Sequence, residues 1–103
     1  MRPKKLSDER IHELLSRLNG WELTNDSISK TFILDNFSQS MEFVNQLAEI
    51  AEEVQHHPDI DIRFNKVILT LSTHDVGGLT DNDFYIANVA EQLDKSPRVK
   101  VPA

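Results

Sequence analysis

The chain holds 103 residues, which allows one domain of ordinary size and leaves no room for a second. Hydrophobic residues make up 39% and charged residues 27%, too apolar for a disordered chain and too polar for a membrane-spanning one. With 11 Lys and Arg against 17 Asp and Glu, the net charge of −6 repels a polyanion, so direct nucleic-acid binding is disfavoured.

Cysteine is absent, which removes disulfides, thiolate nucleophiles and zinc–thiolate sites together and suits a reducing compartment. No run approaches the roughly 18 apolar residues of a spanning helix, and Met1–Lys5 leads into no apolar signal core. A cytoplasmic protein without membrane contact is the expectation. A core this small leaves stability marginal, and a partner subunit would bury more apolar surface.

In Leu6–Leu18 the apolar residues Ile11, Leu14, Leu15 and Leu18 recur at helical spacing. Ser7 is placed to cap this helix, Leu6 and Ile11 to staple its start, and Asn19-Gly20 to stop it. From Trp21 to Leu34 the period shortens to two and predicts a hairpin turning at Asn25-Asp26. Its second strand sets Ile28, Phe32 and Leu34 on one face and Thr31 and Ile33 on the other.

Ser38–Val54 is the longest helical pattern, with one stripe of Met41, Val44, Ala48 and Ala51 and another of Phe43, Leu47, Ile50 and Val54. Either the helix is buried deeply in its own domain or the surplus side packs on another subunit, and because a small sheet has little surface to cover both stripes, the subunit is favoured. Pro58 ends this helix after His56-His57. Asp59–Ser72 then alternates, with Ile60, Ile62 and Phe64 on one face, Val67, Leu69 and Leu71 on one face of the next strand, and a turn at Asn65-Lys66. Gly77-Gly78 breaks the pattern. Thr80 caps a last helix running to Leu93, with Asp83 in a capping box and Leu79 and Phe84 as a staple. Residues 1–5 and 96–103 are expected to be loose.

The order α-β-β-α-β-β-α predicts an α+β fold in one domain over 1–103, an antiparallel sheet covered by helices on one face.

Of the four histidines, His12 sits on the exposed side of the first helix and reads as structurally neutral. His56, His57 and His74 all fall at element ends, where side chains converge above a rigid sheet. Adjacent residues point apart, so His56 and His57 share a ligand only if the helix ends there, which Pro58 arranges. Glu52 stands one helical turn before His56 and can orient or charge-stabilise it. A three-histidine metal centre is disfavoured, because neither HxH nor HExxH spacing occurs. The chain also lacks a Walker loop, a GxGxxG turn and a Gly-x-Ser-x-Gly nucleophile elbow.

Taken together, Glu52-x3-His56-His57-Pro58, Phe64-Asn65-Lys66-Val67, Leu71-Ser72-Thr73-His74-Asp75 and Gly78-Leu79-Thr80-x2-Asp83 resemble the signature of the pterin-4a-carbinolamine dehydratases. Gly20-Trp21 and Phe37-Ser38 fit as well, so the resemblance spans nearly the whole chain. It implies a four-stranded antiparallel sheet, dimers or tetramers, and dehydration of 4a-hydroxytetrahydropterin to quinonoid dihydropterin in pterin cofactor recycling. It implies His56, His57 and His74 as the active-site imidazoles, aided by Glu52, with Ser72, Thr73, Asp75, Pro58 and Asp83 around the pterin. No separate cofactor is implied, the pterin being the substrate, and no metal.

Vertebrate members carry a carboxylate before the histidine pair and a Trp shortly after it, where this chain has Gln55 and Ile60. Those changes bear on the substrate's side chain. Members that bind a transcription factor through a helical surface supply the rival reading, a non-catalytic pterin-binding or protein-interaction module acting through the long helix.

Overall fold

A computed structural model describes residues 3–95. The expected loose segment 96–103 and the first two residues of 1–5 lie outside the described residues. Within 1–5, the stem of Lys5 lies across Gly78, where an added Cβ would stand 2.7 Å from Lys5 Cε. The next residue, Leu6, donates its N–H to Leu79 O at 2.8 Å.

Helix α1 (Asp8–Leu15) starts as the sequence indicates, with the Ser7 side chain accepting the Arg10 N–H. It ends three residues earlier than the stripe suggests, and the chain tightens into i→i+3 turns that still lay Leu18 on the core. Strands β1 (Glu22–Thr24) and β2 (Ser27–Ile33) form the first hairpin, turning at Asn25-Asp26 with Asn25 left-handed at φ 53°. Ile28, Phe32 and Leu34 are buried, and Thr31 and Ile33 face outward.

Helix α2 (Phe37–Val54) begins one residue before the expected Ser38, because Asn36 caps it by accepting the Gln39 N–H at 2.8 Å. Its buried residues, Gln39, Ser40, Phe43, Val44, Leu47 and Ala51, form one stripe whose apolar members come from both expected ones. Ala48 and Val54 are left exposed, and Met41 and Ile50 are half-buried.

Strands β3 (Asp59–Arg63) and β4 (Lys66–Leu71) form the second hairpin. Here the turn is one residue earlier than expected: Arg63 pairs with Lys66, which makes Phe64-Asn65 the turn. Phe64 therefore leaves the face of Ile60 and Ile62, adopts φ 55° and stands 66% exposed. Asn65 holds the turn by donating its side-chain amide to Leu34 O and accepting the Leu34 N–H at its own carbonyl. Helix α3 (Asp81–Lys95) closes the chain.

The four strands lie antiparallel in the order β1-β2-β4-β3. Register puts Ile28 opposite Leu71 and Phe32 opposite Val67, while Ile60 and Ile62 oppose Leu69 and Val67, so one face of the sheet is continuously apolar. Helices α2 and α3 pack against each other and on β4 from that face, bringing Phe43, Leu47, Ile86 and Ala87 into the core. The α+β fold expected from the sequence is present. Among the described residues no helix is long and apolar enough to cross a membrane.

One polar cluster interrupts this face. Lys30 lies over the Phe32 ring, 4.9 Å from its centroid, and its ammonium meets Glu91 of α3. The same Glu91 oxygen accepts the Trp21 indole N–H at 2.9 Å, and Trp21 meets Phe32 edge-on at 5.9 Å.

Candidate active site

The end of α2 carries the first part of the site. Gln55 turns left-handed at φ 53° and ψ 45°, and its N–H reaches back to the Ala51 and Glu52 carbonyls. Its side-chain amide also donates to Glu52 O at 2.7 Å. This reversal sends the next two residues in different directions. His56 turns inward and is 9% exposed, whereas the side chain of His57 remains 56% exposed and pairs through Nε2 with the carboxylate of Glu52. The sequence placed Glu52 beside His56; the reversed chain gives it to His57 instead.

The second part follows β4. Thr73 and Gly78 bridge across a single turn of 3-10 helix, His74–Val76, which Gly77 closes with φ 65°. No side chain crowds Gly77, so its task is the left-handed backbone. The turn leaves His74 and Asp75 exposed. Ser72 donates its hydroxyl to Asp26 O at 2.7 Å, which ties the first hairpin's turn to the site and leaves the Ser72 oxygen free to accept.

Between these two parts lies a cleft of about 240 Å³ lined by Gln55, His56, His57, Ser72, Thr73, His74 and Asp75. Three imidazoles, from two elements distant in sequence, thus face one space. Pro58 and Glu52 flank the cleft without lining it. Among the described residues no group of three His, Cys, Asp or Glu side chains is gathered closely enough to hold a metal ion.

Asp83, expected beside the pterin, is fully buried and turned onto His56. Its Oδ1 lies 2.6 Å from His56 Nε2, while Oδ2 accepts the Thr80 N–H at 2.9 Å and the Thr73 hydroxyl at 2.7 Å. The capping-box role read from the sequence is therefore present, since this carboxylate reaches back to the N–H of the residue before α3. Thr73 lines the cleft, but its hydroxyl is spent on Asp83 and meets Thr80 Oγ1 at 2.8 Å. Thr80, read from the sequence as a helix cap alone, is thus part of the support behind His56. Its spacing to Asp83 was visible as a capping box, but nothing local in the sequence could announce its contact with Thr73.

An antiparallel sheet with helices on one face, and a cleft lined by three histidines where α2 ends beside the β4 turn, define an α+β protein with a candidate site for a small ligand. Residues 4–93 match the family model described as pterin 4 alpha carbinolamine dehydratase. The chain belongs to that family. It is 45% identical over 89 residues to a protein of Thermomicrobium roseum named "Putative pterin-4-alpha-carbinolamine dehydratase", covering 86% of this chain and 96% of the relative. The crystal structure of a transcriptional coactivator/pterin dehydratase from Brucella melitensis superposes with a TM-score of 0.86 at 30% identity, covering 88% of this chain and 99% of that one. A pterin dehydratase-like protein identified as a RuBisCO assembly factor in the alpha-carboxysome shares the fold at TM-score 0.60 and 23% identity, covering 75% of this chain and 89% of that one.

Proposed function

We propose that this protein removes water from 4a-hydroxytetrahydropterin to give quinonoid dihydropterin, a step in pterin cofactor recycling. The observation that carries the reading is the convergence of His56, His57 and His74 on one cleft. Loss of water from a carbinolamine needs a proton delivered to the departing hydroxyl and another removed from the neighbouring ring nitrogen. Imidazoles suit both tasks near neutral pH.

His57 or His74, the exposed pair, serves as the acid at the 4a-hydroxyl, and His56 as the base or ligand clamp. Glu52 orients His57 through their ion pair. The Ser72 oxygen and the Asp75 carboxylate are acceptors for pterin N–H groups. The cleft is smaller than the roughly 300 Å³ at which drug-sized sites begin, which fits a fused ring whose substituent stays in solvent. We place the reaction in the cytoplasm, a reducing compartment that suits a chain without cysteine.

The test is to offer the purified protein freshly generated 4a-hydroxytetrahydropterin and follow dehydration by absorbance, before and after exhaustive EDTA treatment. Accelerated dehydration that survives chelation is expected. Loss on chelation with recovery on added zinc would replace imidazole acid–base chemistry by a metal centre.

A second reading rests on the outer side of α2. Phe37 is 49% exposed there and, with half-buried Met41, lines a groove of about 460 Å³ edged by Glu42 and Glu49. We propose a homodimer or homotetramer joined along this helix, the same surface being the one a non-catalytic interaction module would use. Light scattering at micromolar concentration should give a mass above that of one chain, and Met41→Lys should lower it without unfolding the domain. Phe43, buried in the core, is unsuitable for this test, since a charge there would unfold the chain. A wild-type monomer at those concentrations would refute the helical interface.

A further inference from the structure

The hydrogen bonds around Asp83 have a direction. A carboxylate only accepts and a backbone N–H only donates. Thr73 spends its one hydroxyl hydrogen on Asp83 Oδ2, so at the contact between the two threonine hydroxyls Thr80 must be the donor. Thr80 Oγ1 in turn accepts the Asn82 N–H at 3.3 Å. Every hydrogen in this chain therefore points toward Asp83, and Asp83 offers His56 nothing but an acceptor.

We infer that Thr80, Thr73 and Asp83 form a tautomer lock, positioning residues that keep hydrogen on Nε2 of His56 and leave its unprotonated Nδ1 as the acceptor facing the cleft. Among the described residues the His56 ring makes one hydrogen bond, that of Nε2, and nothing competes for Nδ1. His56 lines the cleft, so with Nε2 committed to Asp83 the nitrogen left to meet a ligand there is Nδ1. Thr80 touches no ligand in this arrangement. It acts through Thr73 and Asp83.

The kinetic consequence rests on the dehydratase reading; the lock itself does not. In that reaction the N–H bond of the ring nitrogen breaks, its proton goes to Nδ1, and the electron pair becomes the new carbon–nitrogen double bond. The C4a–O bond breaks, and the departing hydroxyl takes a proton from a second, protonated imidazole and leaves as water. His56 ends as an imidazolium whose Nε2–H stays on Asp83, and exchange with solvent resets both imidazoles. A His56 with hydrogen on Nδ1 could not begin this sequence.

Asp83→Asn should invert the lock. The new amide's oxygen belongs where the Thr80 N–H and the Thr73 hydroxyl converge, which turns its NH2 toward His56 Nε2. Nε2 must then accept, and the hydrogen moves to Nδ1.

Long-range proton–nitrogen NMR of the imidazoles, recorded above neutral pH, distinguishes the two tautomers. The expected result is hydrogen on Nε2 in the wild type and on Nδ1 in Asp83→Asn. That variant should lose about a hundredfold or more in kcat with a much smaller change in KM, the behaviour of a misplaced tautomer. Thr80→Val should lower kcat severalfold and weaken the Nε2–H preference, and Thr80→Ser should restore both. A role in folding alone would lower the melting temperature and leave the tautomer and kcat unmoved.

Hydrogen on Nδ1 in the wild type overturns the proposal, as does an Asp83→Asn protein that keeps Nε2–H. An inverted tautomer with unchanged kcat overturns the positioning role. If Asp83→Asn does not fold, the wild-type and Thr80 spectra decide in its place. If the wild type shows no dehydration, the spectra still decide the lock, and only the reaction assigned to it falls.

Discussion

His56 and His57 are neighbours in sequence and opposites in surroundings. One is buried against a carboxylate that is itself fully buried; the other stands half in solvent beside an exposed glutamate. The inner pair lies where water does not screen it, so removing one partner strands every group that depended on it. The outer pair is screened and replaceable. The cleft thus has an inner wall whose geometry is costly to disturb and a rim open to solvent, the division that the proposed acid–base chemistry would use.

The strongest way to break this contrast is Asp83→Ala. It would leave the Thr80 N–H, the Thr73 hydroxyl and His56 Nε2 without their acceptor, and should cost about 3 kcal/mol or more, read as a fall in melting temperature of more than about 10 °C. An unfolding curve like the wild type's would mean that the inner wall is not under this constraint.

On the rim, His57→Ala and His74→Ala should each lower turnover by about a hundredfold or more while moving the melting temperature by no more than about 3 °C, since neither side chain packs in the core. Full turnover in either variant removes that residue from the acid–base set. The smallest effect is expected for Glu52→Gln: less than about 1 kcal/mol of stability, shrinking further in high salt. A loss comparable with that of Asp83→Ala would erase the distinction between wall and rim.

How much of this was legible beforehand follows from how local each cause is. The Ser7 cap, the Asn25-Asp26 turn and the alternating faces of β2 depend on residues within a few positions of one another, and the sequence displays them. The turn at Phe64-Asn65 was misplaced by one residue because an aromatic in alternating phase looks like a strand residue. Only the left-handed backbone at Phe64 shows otherwise. Helix α2 presents two apolar stripes in the sequence, and which residues the domain itself covers depends on where β4 and α3 lie.

At the site, the three histidines and Asp83 were legible as residues of interest, yet their pairings were not. Asp83 lies 27 positions from His56, and Glu52 reaches His57 only because Gln55 reverses the chain. Spacing alone could not reveal either contact.

The joint between Trp21, Lys30 and Glu91 gives this molecule an optical reporter. Trp21 is its only tryptophan, is buried, and donates a hydrogen bond to Glu91 of the opposite layer, so its emission depends on α3 staying seated on the sheet. No residue of that joint lines the cleft. A cleft variant that keeps the native emission spectrum has therefore lost chemistry rather than architecture, and one whose emission shifts to the red has let α3 come away. Fluorescence of the unlabelled protein can separate the two kinds of failure in a single cuvette.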